Sequence, residues 1–206
     1  MRRFRYLAAV TVIAGLVAGS AGSAAAATSQ TAKAPAAAVH LTGGATAVTT
    51  APGVASTLLG KGIVPLATWP GSQSVLSLGG PAVRFTFPVT GGQVALSPLG
   101  GQVDHSGGIL FLNAANGKTI QVSQFIIDLT HADLTGIVNG NPAARVPLFN
   151  LVLSHAKLAT GNHTVTASGI GVTLTAAAAN ALNTALGTSL FSAGLNLGTA
   201  ATLLRV

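Results

Sequence analysis

The chain has 206 residues, no cysteine, 49% apolar residues and a formal net charge of +7, with ten basic residues against three acidic ones. Without thiols there are no disulfides, thiolate nucleophiles or cysteine metal sites, so packing and sheet hydrogen bonds must hold the fold. Beyond Arg5 the seven remaining basic residues, Lys33, Lys61, Arg84, Lys118, Arg145, Lys157 and Arg205, are scattered singly with almost no aromatic residues among them, which argues against nucleic-acid binding, because such proteins gather charge on one face.

Arg2, Arg3 and Arg5 precede an apolar run from Leu7 to Gly19 and an A-x-A site at Ala25-Ala26-Ala27. This is the pattern of a secretory signal cut before Thr28. The run is shorter than the about 20 apolar residues of a membrane span, so no span is expected after cleavage. Residues 28–38 are small, polar and Pro-containing and read as a disordered leader. The remainder, Val39 to Val206, is enough for one domain.

Val39 to Thr42 reads as a short strand, and Thr50 as the cap of a short helix with Pro52 in its first turn and Gly60 just past its end. Strands follow at Ile63 to Thr68 and Ser74 to Leu78, separated by a turn at Trp69-Pro70-Gly71. In Ala82 to Val89, Val83, Phe85, Phe87 and Val89 share one face, the alternation of a half-buried antiparallel strand. Val103 and His105 share a strand face, Ser106-Gly107-Gly108 supplies a turn, Ile109 to Leu112 is apolar, and Asn116-Gly117 suggests a type I′ hairpin. Thr119 to Leu129 changes parity between Val122 and Phe125, which predicts a bulge near Ser123-Gln124. Leu134 to Val138, Val146 to His155 and Thr164 to Leu174 continue the strands, with turns at Asn139 to Pro142 and Gly161-Asn162. Thr175 then caps a helix over Ala176 to Leu186 that stops at Gly187, and Leu190 to Val206 closes the domain with one or two strands. The class is mainly β: an antiparallel β-sandwich or partly open barrel with two short helices.

Candidate chemistry is sparse. Asp104-His105-Ser106 cannot act as a triad, because neighbours on a strand point to opposite faces. Asp128, His131 and Asp133 form the one acidic cluster, and two carboxylates with an imidazole make an oxygen and nitrogen ligand set suited to zinc or manganese, which leaves a secreted metal-dependent enzyme as an alternative reading. His40, His155 and His163 stand alone.

Two stretches resemble the Htaa-domain family of secreted actinobacterial proteins, several of which capture haem at the cell surface. The first is Gly101 to Leu134, where G-x-V-x-H-S-G-G-x-L is similar to a strand pair of that family and leads into an apolar strand ending in Asp128. The second is Leu174 to Thr202, where L-T-A-x-A-A-x-x-L, then Phe191-Ser192-Ala193-Gly194 and Gly198-Thr199-Ala200, is similar to its closing segment. The resemblance implies haem as a cofactor, with His105 as the residue carried over and His131 or His155 as further ligands. It departs where the family ligates haem iron through tyrosine, since the single tyrosine here, Tyr6, lies in the expected signal. Read from its residues, the chain is expected to be a non-enzymatic, cofactor-free, secreted or cell-wall-associated module. Its expected partners are an envelope component, a protein or an apolar small ligand.

Overall fold

The computed structural model describes residues 38–77 and 80–206. The expected signal and all but the last residue of the expected leader lie outside the described residues. Thirteen strands and two helices follow in order. They are β1 (Val39–His40), β2 (Gly43–Thr50), α1 (Val54–Gly60), β3 (Ile63–Thr68), β4 (Ser72–Ser77), β5 (Pro81–Leu96), β6 (Leu99–His105) and β7 (Gly108–Asn113). Then come β8 (Thr119–Asp128), β9 (Asp133–Val138), β10 (Asn141–Val152), β11 (Lys157–Gly161), β12 (Thr164–Leu174), α2 (Ala176–Leu186) and β13 (Asn196–Arg205). No helix among the described residues is long and apolar enough to cross a membrane.

The strands form a closed barrel. Following the ladders, β2 pairs with β13, β13 with β12, β12 with β10, β10 with β9, β9 with β8, β8 with β6, β6 with β5 and β5 again with β2, every pair antiparallel. Eight strands give a barrel interior just wide enough to be filled by side chains or to hold one small ligand. The long strands carry the extras: β5 pairs with β4 along its first half and β6 along its second, and β8 pairs with β7 and then β6. The expected turn at Ser106 to Gly108 therefore does not reverse the chain. β6 and β7 run in one direction along the same side of β8, and the break between them lets β6 reach β5 while β7 reaches β3.

The predicted bulge is present: the β8–β9 register shifts between Ser123 and Ile126, and Gln124 takes φ 50°. Ile120 and Val122 before it, and Phe125 and Ile127 after it, are all buried. Helix α2 forms as predicted, with the Thr175 hydroxyl accepting from the Ala178 N–H at 3.1 Å and Gly187 left-handed at φ 63°. Helix α1 differs, since its N-cap is Gly53 at φ 82°, with Thr50 ending β2 instead, and Gly60 is its last residue. Asn116-Gly117 sits in a longer loop where Gly117 alone of the two has positive φ, whereas Asn139 and Gly140 are both positive, as a type I′ turn requires.

Both helices lie at one end of the barrel, because α1 follows the end of β2 and α2 joins β12 to β13. Their buried faces, Ala55 and Leu58 on α1 and Ala178, Ala179, Leu182 and Leu186 on α2, close that end. The opposite end is rimmed by the β5–β6 and β8–β9 turns, the break between β10 and β11, and the β11–β12 turn.

Strand β3 is an outer edge, paired only with β7 among the described residues. The Ala114 N–H bonds the Gly62 carbonyl at 2.8 Å, which sets the ladder's alternation so that the nitrogens of Ile63, Pro65 and Ala67 point to the open side. Pro65 has no proton to offer, and the Ala67 N–H is taken by Gln73 Oε1 at 2.6 Å.

Candidate functional site: the barrel interior

Alternation turns one face of every barrel strand inward. Phe85, Phe87 and Val94 of β5, Val103 and His105 of β6, Phe125 and Ile127 of β8, and Val165, Ala167, Ile170 and Val172 of β12 surround a cavity of about 220 Å³. Among the described residues its polar lining consists of Thr46, Thr50, His105 and Thr202; the rest is apolar, and no charged side chain lines it. Phe87 and Phe125 meet edge to face across the interior, with centroids 4.9 Å apart. The cavity runs from Val54 and Leu58 of α1 to Leu158 of β11, which is 48% exposed at the rim.

His105 is 5% exposed. Its Nε2 lies 2.7 Å from Thr46 Oγ1, which lies 2.8 Å from Thr202 Oγ1, which in turn donates to the Ala45 carbonyl at 3.3 Å. Each hydroxyl has one proton, so all three bonds form together only if Nε2–H donates to Thr46, Thr46 to Thr202 and Thr202 to Ala45. That places the proton of the neutral ring on Nε2. Nδ1 is buried with no hydrogen-bond partner among the described residues. Burial holds the imidazole below the ordinary histidine value; the backbone at Phe125 and Val103 and the Asp104 charge pull the other way, but less.

The acidic cluster occupies the β8–β9 turn at the open end. Asp128 accepts from the backbone N–H groups of Thr130 and His131 at 2.8 and 3.1 Å, and its other oxygen meets His131 Nδ1 at 2.9 Å. The His131 bond leads in holding the Asp128 carboxyl down to about 2, and the same bond raises the exposed imidazole. Asp133 faces Asp128 across the hairpin ladder. Among the described residues no three ligating side chains come together as a metal-binding group. His155 and His163 are exposed at the same end, and neither meets His105.

Comparison with family models and with curated proteins finds no match. Among solved structures, the C-terminal domain of HtaA from Corynebacterium glutamicum matches with a TM-score of 0.53 at 15% identity, over 81% of this chain and 98% of that one. The chain has an HtaA-like fold. A domain-swapped dimer of a variant of the same HtaA domain gives a TM-score of 0.47 at 17% identity, over 73% of this chain and 89% of that one.

Within this HtaA-like barrel, His105 is the residue the sequence singled out, while its partners Thr46 and Thr202 went unnoticed. A signal for Thr46 exists in the period-two set Thr46, Val48 and Thr50 of β2, all of which line the cavity. Alanine, glycine and threonine fill the positions between and around them, so the alternation carries little hydrophobic contrast.

Proposed function

We propose that the chain is a non-enzymatic binding module, exported to the cell envelope or beyond it, whose barrel holds a small apolar ligand. The cavity carries this reading: about 220 Å³ of apolar space inside a closed barrel. A cavity of roughly 150 Å³ lined by aliphatic and aromatic side chains stays dry and binds benzene, so this one has room for a somewhat larger hydrocarbon. Its polar groups are largely occupied with one another, through His105, Thr46 and Thr202, so the enclosed part of a ligand meets hydrocarbon almost everywhere. Export is supported by the basic start, apolar run and A-x-A site.

Haem fits this interior poorly. The cavity is smaller than the roughly 300–1,000 Å³ of typical cofactor pockets. His105 Nε2 is already bonded, and among the described residues no cationic side chain lines the cavity to meet carboxylate groups.

The test is a methyl-NMR titration with naphthalene, repeated with hemin while the Soret band is followed. Saturable naphthalene shifts on Ile127, Val165 and Val172 are expected, weakened in Ala167→Leu, which fills part of the cavity in a folded barrel. A folded protein showing no saturable shifts overturns the reading. A Soret band lost in His105→Ala replaces the apolar ligand with haem.

A further inference from the structure

We infer that the ligand is an amphiphile that enters tail first at the end opposite the helices and leaves its polar head outside the barrel. This rests on the apolar-ligand reading and adds the shape of the ligand and its direction of entry.

The two ends of the cavity differ. At the helix end, Leu58 of α1 and Ala178 and Leu182 of α2 are buried and line one small void together, so that end is covered by packed side chains. At the other end the lining residues come out into solvent. Leu96 and Leu99 flank the β5–β6 turn, Leu129 opens the β8–β9 turn, and Leu153, Ala156 and Leu158 line the break between β10 and β11. The first five of these are half-buried, and Leu158 is the one exposed residue of the whole lining. A ring of apolar side chains left at a mouth costs hydration unless a hydrocarbon continues through it.

Polar side chains gather just outside the same mouth. Asp128 and His131 belong to the β8–β9 turn, His155 and Lys157 flank the start of β11, His163 sits in the β11–β12 turn, and Arg205 ends β13 beside it. A polar collar around an apolar shaft suits a molecule with the same division, because the head keeps its hydration and hydrogen bonds while the tail leaves water. A wholly apolar ligand would leave the collar without a role, and a ligand with a polar group in its tail would meet few free polar atoms inside.

Octyl maltoside, used below its micelle-forming concentration, decides the matter in competition with naphthalene and beside 1-octanol. Its disaccharide head is far too large for the cavity. Displacement of naphthalene by both compounds is expected, with affinities within about tenfold and with shifts at Leu153 and Leu158. Leu158→Gln, a change at an exposed position, should weaken octyl maltoside about fivefold and naphthalene distinctly less, since it removes apolar contact only at the mouth. If naphthalene and 1-octanol bind but octyl maltoside does not displace them, the ligand is wholly enclosed and this inference fails while the proposed function stands. If naphthalene itself does not bind, the underlying reading fails and takes this one with it.

Discussion

Replacing Thr46 by valine tests the buried polar row directly. Valine has nearly the shape of threonine, so the substitution opens almost no cavity and the cost lies in hydrogen bonding. The Thr46 hydroxyl is the acceptor for His105 Nε2 and the donor to Thr202, and its residue is 3% exposed, so no water replaces it easily. With the hydroxyl gone, His105 holds two unpaired nitrogens in an apolar interior, while Thr202 keeps its bond to the Ala45 carbonyl. Leaving one buried polar group unpaired costs about 1–3 kcal/mol, so Thr46→Val should destabilise by about 2 kcal/mol. For a domain of this size that is a fall of about 4–8 °C in Tm. Urea unfolding should show a lower midpoint with an unchanged slope. In the double variant Thr46→Val, His105→Leu the imidazole is no longer stranded, so its cost should fall short of the two single costs added together by at least about 1 kcal/mol. A single-variant effect under about 0.5 kcal/mol, or additive costs, would refute the reasoning.

The histidines should titrate on both sides of their ordinary value. In an NMR pH series His105 is expected below it and His131 above it, and Asp128→Ala should bring His131 back down while leaving His105 in place. The stability contributions then have opposite signs. Because the folded pKa of His105 is lowered, the unfolded chain takes up a proton first and stability falls as pH drops below about 6.5. His131 favours the folded state below that pH and loses the effect as pH rises through its raised value, and the Asp128 contribution is lost as pH falls from 3.8 toward about 2. At the helix end, Thr175→Ala removes the N-cap bond to Ala178 and should cost about 1 kcal/mol in urea unfolding, with Thr175→Ser close to the parent.

Where neighbouring side chains differ strongly in polarity, the chain could be read closely. The face shared by Phe85, Phe87 and Val89 and the parity change in β8 foretold buried positions and the bulge at Gln124. Helix α2 was equally legible, since its cap, alanine run and terminal glycine are all local signals. Barrel closure was not, because the β2–β13 ladder joins Gly43 to Arg205 and Thr50 to Gly198, positions at opposite ends of the domain's sequence. Strand β5 was expected to end at Val89, yet it continues to Leu96 through Gly91 and Gly92, where a register shift absorbs the irregularity. The site followed the same division. His105 stood out as a rare residue in a patterned strand, while Thr46 and Thr202, common residues in a threonine-rich chain, became meaningful only when closure set them beside it.

The outer edge at β3 has a consequence for how copies of this protein meet. Recruitment of a further strand needs a row of donors and acceptors at the spacing of the ladder. On β3 one donor is deleted by Pro65 and the next is occupied by Gln73, so a second chain arriving at this margin finds acceptors facing it with too few protons in register. A sheet of thirteen strands can thus end in water without becoming the seed of a longer one, which keeps crowded copies separate at this margin.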